Sequence, residues 1–165
     1  MKDRLILFTD GSVATKVRIG YGAYLVVDEN ELSIDATQAK VKVKKFEDTS
    51  STKLELQTLL WALTEIQYAQ GTSKKVVVYT DSQNIIGLPS RRNHLEQSNY
   101  SSKNNRRLKN HELYRGFYQI IDQLDCEFIK VKGHQPSTQK DAIDRLFTRV
   151  DRASRKAMKE GTTFS

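Results

Sequence analysis

The sequence predicts an α/β protein with a mixed five-stranded sheet flanked by helices. Three observations indicate this fold class: strand-like segments fill the first 44 residues, helical periodicity begins at residue 56, and two more apolar strand segments alternate with helices. A helix before the fourth strand allows that strand to run parallel to the first through a right-handed crossover. We therefore expect the order β-β-β-α-β-α-α-β-α, with three antiparallel strands followed by two parallel ones.

The first three strands differ in their patterns. Residues 5–10 form an apolar run closed by an acid and Gly11, which predicts a buried strand followed by a turn. Residues 21–27 form a second apolar segment that ends in a polar cluster. Apolar and basic residues alternate strictly over residues 40–44, which predicts a half-buried strand with one wet face. Short connections between these segments favour an antiparallel meander.

The periodicity then changes to that of a helix. Leu56, Leu59, Leu60 and Leu63 recur at helical spacing and predict an amphipathic helix that ends near residue 70. The continuous β-branched run at 76–80 predicts a strand covered on both faces. The remaining elements follow in order: a helix from residue 82, a helix at 112–124, a strand at 126–131 and a helix at 141–158.

Composition indicates one soluble domain. The chain has 165 residues and no linker, and we expect a catalytic domain at 1–160 and a flexible tail at 161–165. The net charge of +7 favours a polyanionic partner such as nucleic acid. Cys126 is the single cysteine, and no signal-peptide pattern or membrane-spanning run is present, so we expect a cytoplasmic protein. Without an additional apolar stripe, a monomer is expected.

Two aspartates follow the strands that are expected to be neighbours. Asp10 closes the first strand segment and Asp81 closes the fourth. The carboxyl ends of adjacent parallel strands meet at one edge of a sheet, at a switch point where α/β proteins place their sites. Two carboxylates that lie so near each other repel unless a cation lies between them. Mg²⁺ or Mn²⁺ is the usual cation for oxygen ligands. This edge is therefore a predicted metal site.

Glu55 adds a third acid in the first turn of the leucine-striped helix. An alternative is structural: Thr52 would open a capping box in which Glu55 reaches back to the Thr52 backbone. Asp10 or Asp81 alone could likewise be a turn or N-cap residue. The expected convergence of all three acids at one end of the sheet favours a functional site.

Five short motifs occur in order along nearly the whole chain. They are Thr9-Asp10-Gly11-Ser12, Gly20-Tyr21-Gly22-Ala23, Leu54-Glu55-Leu56, Thr80-Asp81-Ser82-Gln83 and Val131-Lys132-Gly133-His134. Together they resemble type 1 ribonuclease H. The resemblance implies the ribonuclease H-like fold. It also implies a metal-dependent endonuclease that cuts the RNA strand of an RNA–DNA hybrid by a two-metal-ion mechanism and leaves 5′-phosphomonoesters.

The same resemblance implies roles for individual residues. Asp10, Glu55 and Asp81 would be catalytic ligands of two Mg²⁺ ions, for which Mn²⁺ could substitute, and His134 would be a mobile histidine that assists proton transfer or product release. The fourth acid is either Asp151 or Asp144. Asp151 begins a stretch that fits the family pattern, whereas Asp144 agrees with the usual spacing after the histidine, and we favour Asp151.

Substrate contacts follow from the same motifs and from a basic segment at 91–109. The segment resembles a protrusion that holds the hybrid in some family members, and the alternative is a solvated loop. The expected substrate-binding residues are Gly11, Ser12, Ser51, Thr52, Ser82, Gln83, Arg106, Arg107 and Lys109. The sequence departs from the family at 13–19 and 50–52, where Gly/Pro/Asn-rich and Asn-rich segments are expected.

Two other functions fit parts of the same pattern. A transposase or integrase core shares the fold, but its last acid is a glutamate and it lacks an acid equivalent to Glu55. A catalytically weak or inactive module of the same fold would keep the basic surface and bind hybrids without cutting them. The intact acids at Asp10, Glu55 and Asp81 favour the enzyme, and a metal titration distinguishes the two.

Overall fold

A computed structural model of the chain describes residues 4–32, 39–131 and 141–162. Within these ranges it contains the predicted elements in the predicted order, with one added turn of 3-10 helix at Glu29–Glu31. The main elements are β1 (Arg4–Ala14), β2 (Ile19–Asp28), β3 (Lys42–Phe46), α1 (Ser51–Gln70), β4 (Lys75–Thr80), α2 (Gln83–Gln97), α3 (His111–Gln123), β5 (Cys126–Lys130) and α4 (Ala142–Thr162).

The strands form one sheet in the order β3-β2-β1-β4-β5. Strands β1, β2 and β3 pair antiparallel, whereas β4 is parallel to both β1 and β5, which confirms the predicted mixed sheet. Helix α4 continues to Thr162, so it includes the first two residues of the segment expected to be a tail. No helix in the described part of the chain is both long and apolar enough to cross a membrane.

Strand β1 is longer than predicted. Its parallel pairing with β4 ends at Phe8 and Tyr79, but its pairing with β2 continues to Ala14. The predicted end of this strand at Asp10 and Gly11 is therefore wrong, because the antiparallel partner sustains the strand beyond the end of β4. Asp10 consequently lies within a strand, at the point where its neighbour on one side has ended.

The prediction for β3 is wrong in both position and burial. The strand begins two residues later than expected, at Lys42, and its residues are mostly exposed. β3 is the edge strand, and its long side chains cover neighbouring groups instead of entering the core: Lys42 pairs with Glu65, and the Lys44 amine lies 5.7 Å from the centre of the Trp61 ring. Val43 is 41% exposed.

Each face of the sheet has its own apolar core. Leu7 and Val78 face the larger cluster, which is formed with α1, α2 and α3. Phe8 and Val77 face a smaller cluster formed with α4. The central strands are covered on both faces, as the unbroken apolar runs predict. Asp10, at the end of β1 that extends beyond β4, therefore lies between helices on opposite faces of the sheet.

Glycines set the distance of α1 from the sheet. Gly11 and Gly22 are paired across β1 and β2, and α1 lies directly over them through Leu54 and Thr58. A Cβ atom at Gly22 would lie 2.1 Å from the Thr58 hydroxyl oxygen, and that hydroxyl is itself fixed by a 2.7 Å hydrogen bond to the Leu54 carbonyl. This close approach holds the first turns of α1 against the strand that carries Asp10.

We expect Gly22→Ala to lower the free energy of unfolding by about 1 to 3 kcal/mol, because α1 must move away from the sheet to admit the methyl group. Gly87→Ala is the matched control, since a Cβ at that position in α2 has no neighbour within 4 Å. The control should stabilise the helix by about 0.5 to 1 kcal/mol. Urea unfolding of both variants measures the difference, and equal stabilities would contradict the packing argument.

Candidate active site

Four structural elements bring acids to one end of the sheet. Asp10 lies in β1, Glu55 in the first turns of α1, and Asp81 directly after β4. These three side chains line a single small recess together with Thr80. The fourth acid, Asp151, reaches the same place from α4 on the other face of the sheet, close enough to Asp10 to raise the pKa of that carboxyl group.

Glu55 does not take part in the capping box described as an alternative. Helix α1 begins one residue before Thr52, and its N-cap is Ser50, whose side chain accepts a 3.3 Å hydrogen bond from the Lys53 backbone N–H. The Glu55 carboxylate instead accepts a hydrogen bond from the hydroxyl of Ser82. The expected convergence of Glu55 with the two aspartates is therefore observed.

The hydroxyl group of Ser82 has two structural roles. It is the buried N-cap of α2 and accepts a 3.2 Å hydrogen bond from the Ile85 backbone N–H. The same oxygen donates its proton to Glu55. The start of α2 therefore fixes the orientation of an acid carried by α1.

The structure separates the two candidates for the fourth acid. Asp151 lies beside Asp10 and forms a 2.9 Å ion pair with Arg155. Asp144 lies two turns earlier and exchanges hydrogen bonds with Asp141, whose carboxylate accepts from the Asp144 backbone N–H at 2.9 Å. Asp151 thus joins the acid group, whereas Asp144 caps the start of α4.

Ser154 is a positioning residue that was not expected from the sequence. It is fully buried, its hydroxyl lies 3.1 Å from that of Ser12 on β1, and it donates a 2.9 Å hydrogen bond to the Asp151 carbonyl. The contact with Ser12 holds α4 against β1 next to the acids, whereas the hydrogen bond to Asp151 lies within α4. The sequence feature that could have indicated this role is a small polar residue one turn after Asp151. Ser12, which was expected to contact substrate, has this internal partner.

Burial, and to a smaller extent the neighbouring charges, raises the pKa values of Asp10, Glu55 and Asp81. The pKa of Asp10 rises to about 8, first because the carboxyl is buried, then because of the Asp81 charge and the hydrogen bond with Asp151. Burial likewise raises the pKa of Glu55 and of Asp81, although the Ser82 hydrogen bond opposes the rise at Glu55. The recess therefore gathers more carboxyl groups than can all stay ionised without a cation.

The donor set fits hard divalent cations, because every candidate ligand is a carboxylate oxygen. In the described ranges, however, no three acidic, histidine or cysteine side chains are arranged around one point as ligands of a metal ion. Two of the acids are engaged by protein groups, Glu55 by Ser82 and Asp151 by Arg155. An ion would have to compete with these contacts. His134 lies outside the described residues.

The other expected substrate residues near the acids differ in availability. Ser51 and Thr52 are exposed in the first turn of α1. Gln83 is exposed at the start of α2, and its side-chain oxygen accepts a 2.9 Å hydrogen bond from Lys130 at the end of β5. Gly11 packs under Leu54, and the absence of a side chain there admits α1. Its contact with substrate stays a prediction.

Residues 98–110, which we call the basic protrusion, connect α2 to α3. A backbone bridge between Ser101 and Arg107 organises this segment. Arg106, Arg107 and Lys109 are exposed, and none of them has an acidic ion-pair partner in the part of the chain that the structure describes. Their charges are therefore available to a ligand.

The basic segment without balancing acids begins later in the chain than the sequence predicted. Arg92 lies inside α2, where Asp122 on α3 accepts two hydrogen bonds from it at 2.6 and 2.8 Å. Glu96 accepts a third at 2.6 Å. Arg91 also lies in α2, with its guanidinium 5.9 Å from the centre of the Tyr114 ring. Arg92 joins α2 to α3. Because its charge is balanced by these two acids, the prediction that it belongs to an unbalanced basic segment was wrong.

The fold and the site together define the class of the protein: an α/β enzyme with a carboxylate-lined recess at the end of its central strand. The sequence profile described as RNase H matches residues 2–152, and the chain belongs to the RNase H family. Its enzyme class is accordingly ribonuclease H.

Named relatives and solved structures agree with this membership. The chain is 25% identical over 149 residues to ribonuclease H of Clostridium botulinum strain Hall, which covers 87% of this chain and 92% of the relative. It is 24% identical over 152 residues to ribonuclease H of Treponema denticola, with 85% and 92% covered.

Two solved structures share the fold. LC9-RNase H1, described as a type 1 RNase H with the type 2 active-site motif, matches with a TM-score of 0.69 at 18% identity, over 95% of this chain and 72% of that one. The solution structure of the PFV RNase H domain matches with a TM-score of 0.67 at 14% identity, over 94% of each chain.

The raised pKa of Asp10 predicts how stability depends on pH without metal. Since the folded pKa of about 8 exceeds the unfolded value of about 3.9, the folded state retains a proton between them, and stability falls as pH rises through this window. Asp10→Asn removes the titrating group. In EDTA we expect this variant to be more stable than the unaltered chain at pH 8 by on the order of 1 to 3 kcal/mol, with the difference narrowing toward pH 4.

Urea unfolding at several pH values measures this effect. Glu31→Gln, at an exposed residue of the 3-10 turn, controls for the loss of one negative charge. The same pH dependence in both variants would mean that Asp10 is not the group responsible.

Proposed function

We propose that this chain is a metal-dependent endonuclease that hydrolyses the RNA strand of RNA–DNA hybrids. The observation that carries the proposal is the convergence of Asp10, Glu55, Asp81 and Asp151 from four separate elements in a chain of the RNase H family. We also propose that it acts as a monomer in the cytoplasm.

The four carboxyl groups would hold two divalent cations, Mg²⁺ or Mn²⁺. When bound, such ions supply Lewis acidity at the scissile phosphate and a water molecule of lowered pKa as nucleophile. The chain contributes the oxygen ligands and their orientation. Ser82 holds Glu55 in place through its hydroxyl, and Ser154 attaches the segment that carries Asp151 to Ser12 on β1. Asp10 lies at the centre of the mutual repulsion, so the charge of a bound cation favours release of its proton.

Recognition of the RNA strand would involve groups beside the acids. The exposed hydroxyls of Ser51 and Thr52 and the side chain of Gln83 lie at the starts of α1 and α2, close to Glu55 and Asp81. Such groups can exchange hydrogen bonds with a ribose 2′-hydroxyl, which distinguishes RNA from DNA. His134 remains a prediction for proton transfer or product release, because imidazole titrates near neutral pH.

The basic protrusion would hold the hybrid through its phosphates. Arg106, Arg107 and Lys109 supply exposed charge without acids to neutralise it in the described structure. Contacts of this kind fix the position of a duplex without reading its sequence. Binding through these residues would not depend on the sequence of the hybrid.

A hybrid-binding module that does not cut is the second candidate. It is favoured by one observation: among the described residues, the acids do not surround a single point as a set of metal ligands would. In this case the basic protrusion would be the functional surface, and the acids would contribute only repulsion. Cleavage and binding measured on the same protein distinguish the two candidates.

The proposed function is tested by cleavage of an end-labelled RNA–DNA hybrid with Mg²⁺ or Mn²⁺. We expect RNA-strand cutting that requires metal and is abolished in Asp10→Asn. Cutting that persists in this variant would mean that the activity does not depend on the recess. Tight hybrid binding by folded protein without cutting in either metal would favour the binding module instead.

The choice between the two acids of α4 gives a paired test. We expect Asp151→Asn to lower hybrid cleavage by more than about 100-fold, the upper range for groups that only support a metal ligand. Asp144→Asn should retain most of the activity, since an amide still accepts hydrogen bonds at the start of the helix. Initial cleavage rates measure both, with circular dichroism to check folding. The opposite ranking would reverse the assignment.

A further inference from the structure

The C-terminal half of α4 carries a second basic surface. Arg152, Arg155, Lys156 and Lys159, which we call the α4 basic face, line a surface groove of about 430 Å³ together with Glu160. The Arg155 and Lys156 side chains are 59% and 77% exposed, so the cations of this face are accessible to a ligand. This groove is separate from the acid recess, although Asp151 and Arg152 are consecutive residues.

The spacing of these cations places them on one side of the helix. Arg152, Lys156 and Lys159 are separated by four and three residues, so they lie along one stripe. From Arg152 to Lys159 the helix rises about 10 Å. This length corresponds to about three base-pair steps of a duplex at about 3.4 Å each. The stripe therefore fits a short run of phosphates.

The opposite side of α4 is fixed to the sheet. Val150 and Ser154 are fully buried, and Gly161 lies so close to the Tyr21 hydroxyl that a Cβ atom would collide with it. The cations thus project from a helix held in place along the length of the groove. Their backbone positions are set before any ligand arrives, which lowers the entropic cost of binding.

The charges of the α4 basic face are only partly balanced. Lys156 lies 3.9 Å from Glu160, with both side chains well exposed, and such pairs contribute little. Arg155 pairs with Asp151, which is itself a proposed ligand of metal. Arg152 has no acidic ion-pair partner within the described ranges. This differs from Arg92, whose charge is matched by Glu96 and Asp122.

The location of this surface indicates its partner. α4 packs on one face of the sheet, whereas α2 and α3, which border the basic protrusion, pack with the cluster on the other face. The acid recess lies at the end of β1 and β4, between the two faces. A duplex that crosses the recess would therefore have one basic surface on each side of the cut site.

We propose that the α4 basic face binds the phosphodiester backbone of a nucleic-acid duplex beside the acid recess, opposite the basic protrusion. The inference rests on the proposed function for the identity of the duplex, an RNA–DNA hybrid. Binding itself requires no cleavage. The two surfaces bind different phosphates, so their contributions to hybrid affinity add.

The test measures hybrid affinity in EDTA by fluorescence anisotropy at several salt concentrations, so that cleavage does not interfere. In Arg152→Gln/Lys156→Gln we expect the slope of log affinity against log salt to fall by about 0.9 for each phosphate that is no longer neutralised, or about 2 in all. Affinity at low salt should fall on the order of tenfold. Lys159 and Arg155 are unchanged in this variant, and Arg155 keeps its ion pair with Asp151.

Two further variants make the result specific. Lys74→Gln/Lys75→Gln removes the same formal charge at the other end of the sheet, where the lysines pair with Asp28 and Glu127. This control should keep the slope. Arg106→Gln/Arg107→Gln in the basic protrusion should lower the slope, and combining it with the α4 variant should lower the slope by the sum of the two effects.

Each outcome has a separate meaning. A normal slope in the α4 variant, with a reduced slope in the protrusion variant, overturns the inference and leaves the proposed function intact. An equal fall in the α4 variant and the Lys74/Lys75 control overturns it as an effect of net charge. Failure of the unaltered chain to bind the hybrid overturns both proposals. Phosphatidylserine vesicles that bind through the α4 basic face, with hybrid affinity unaffected, would assign the surface to a membrane instead.

Discussion

Repulsion between carboxyl groups is the constraint on which the rest of this structure depends. Asp10, Glu55, Asp81 and Asp151 are held in and around one recess, and the pKa of Asp10 rises to about 8 as a result of its burial and of the neighbouring acids. Such an arrangement persists only where packing elsewhere holds it. The paired glycines bring α1 down onto the strands, and Ser154 attaches α4 to β1. The interior on each face of the sheet therefore stabilises an end that is unfavourable by itself.

Much of the fold could be predicted because its signals are local. The unbroken apolar runs of β1 and β4 and the leucine spacing of α1 indicate buried strands and an amphipathic helix within single segments. The extent of β1 beyond Asp10 could not be predicted in this way, because it depends on pairing with β2. The exposure of β3 likewise follows from its place at the edge of the sheet, which the alternating pattern does not encode.

The acids show the same division between local and distant information. Asp10 and Asp81 could be placed together because both follow strands expected to be adjacent. Asp144 and Asp151 each matched part of a pattern, and only the packing of α4 on β1 brings one of them beside Asp10. The charge of Arg92 was misjudged for a similar reason, since its partner Asp122 is thirty positions away on another helix. Sequence gives the number of charges in a segment, whereas their availability depends on partners that fold against it.

The double role of the Ser82 hydroxyl limits which residues that position can accept. Aspartate caps helices about as well as serine does, and at an ordinary helix start the two would be interchangeable. Here the same group must also donate to Glu55. An ionised aspartate has no proton to donate and would bring a fifth carboxyl group to the recess, whereas alanine would leave both the helix start and the glutamate without their hydrogen bond. A substitution that looks conservative for secondary structure is therefore unfavourable for the site, so tolerance at this position is decided by electrostatics rather than by helix propensity.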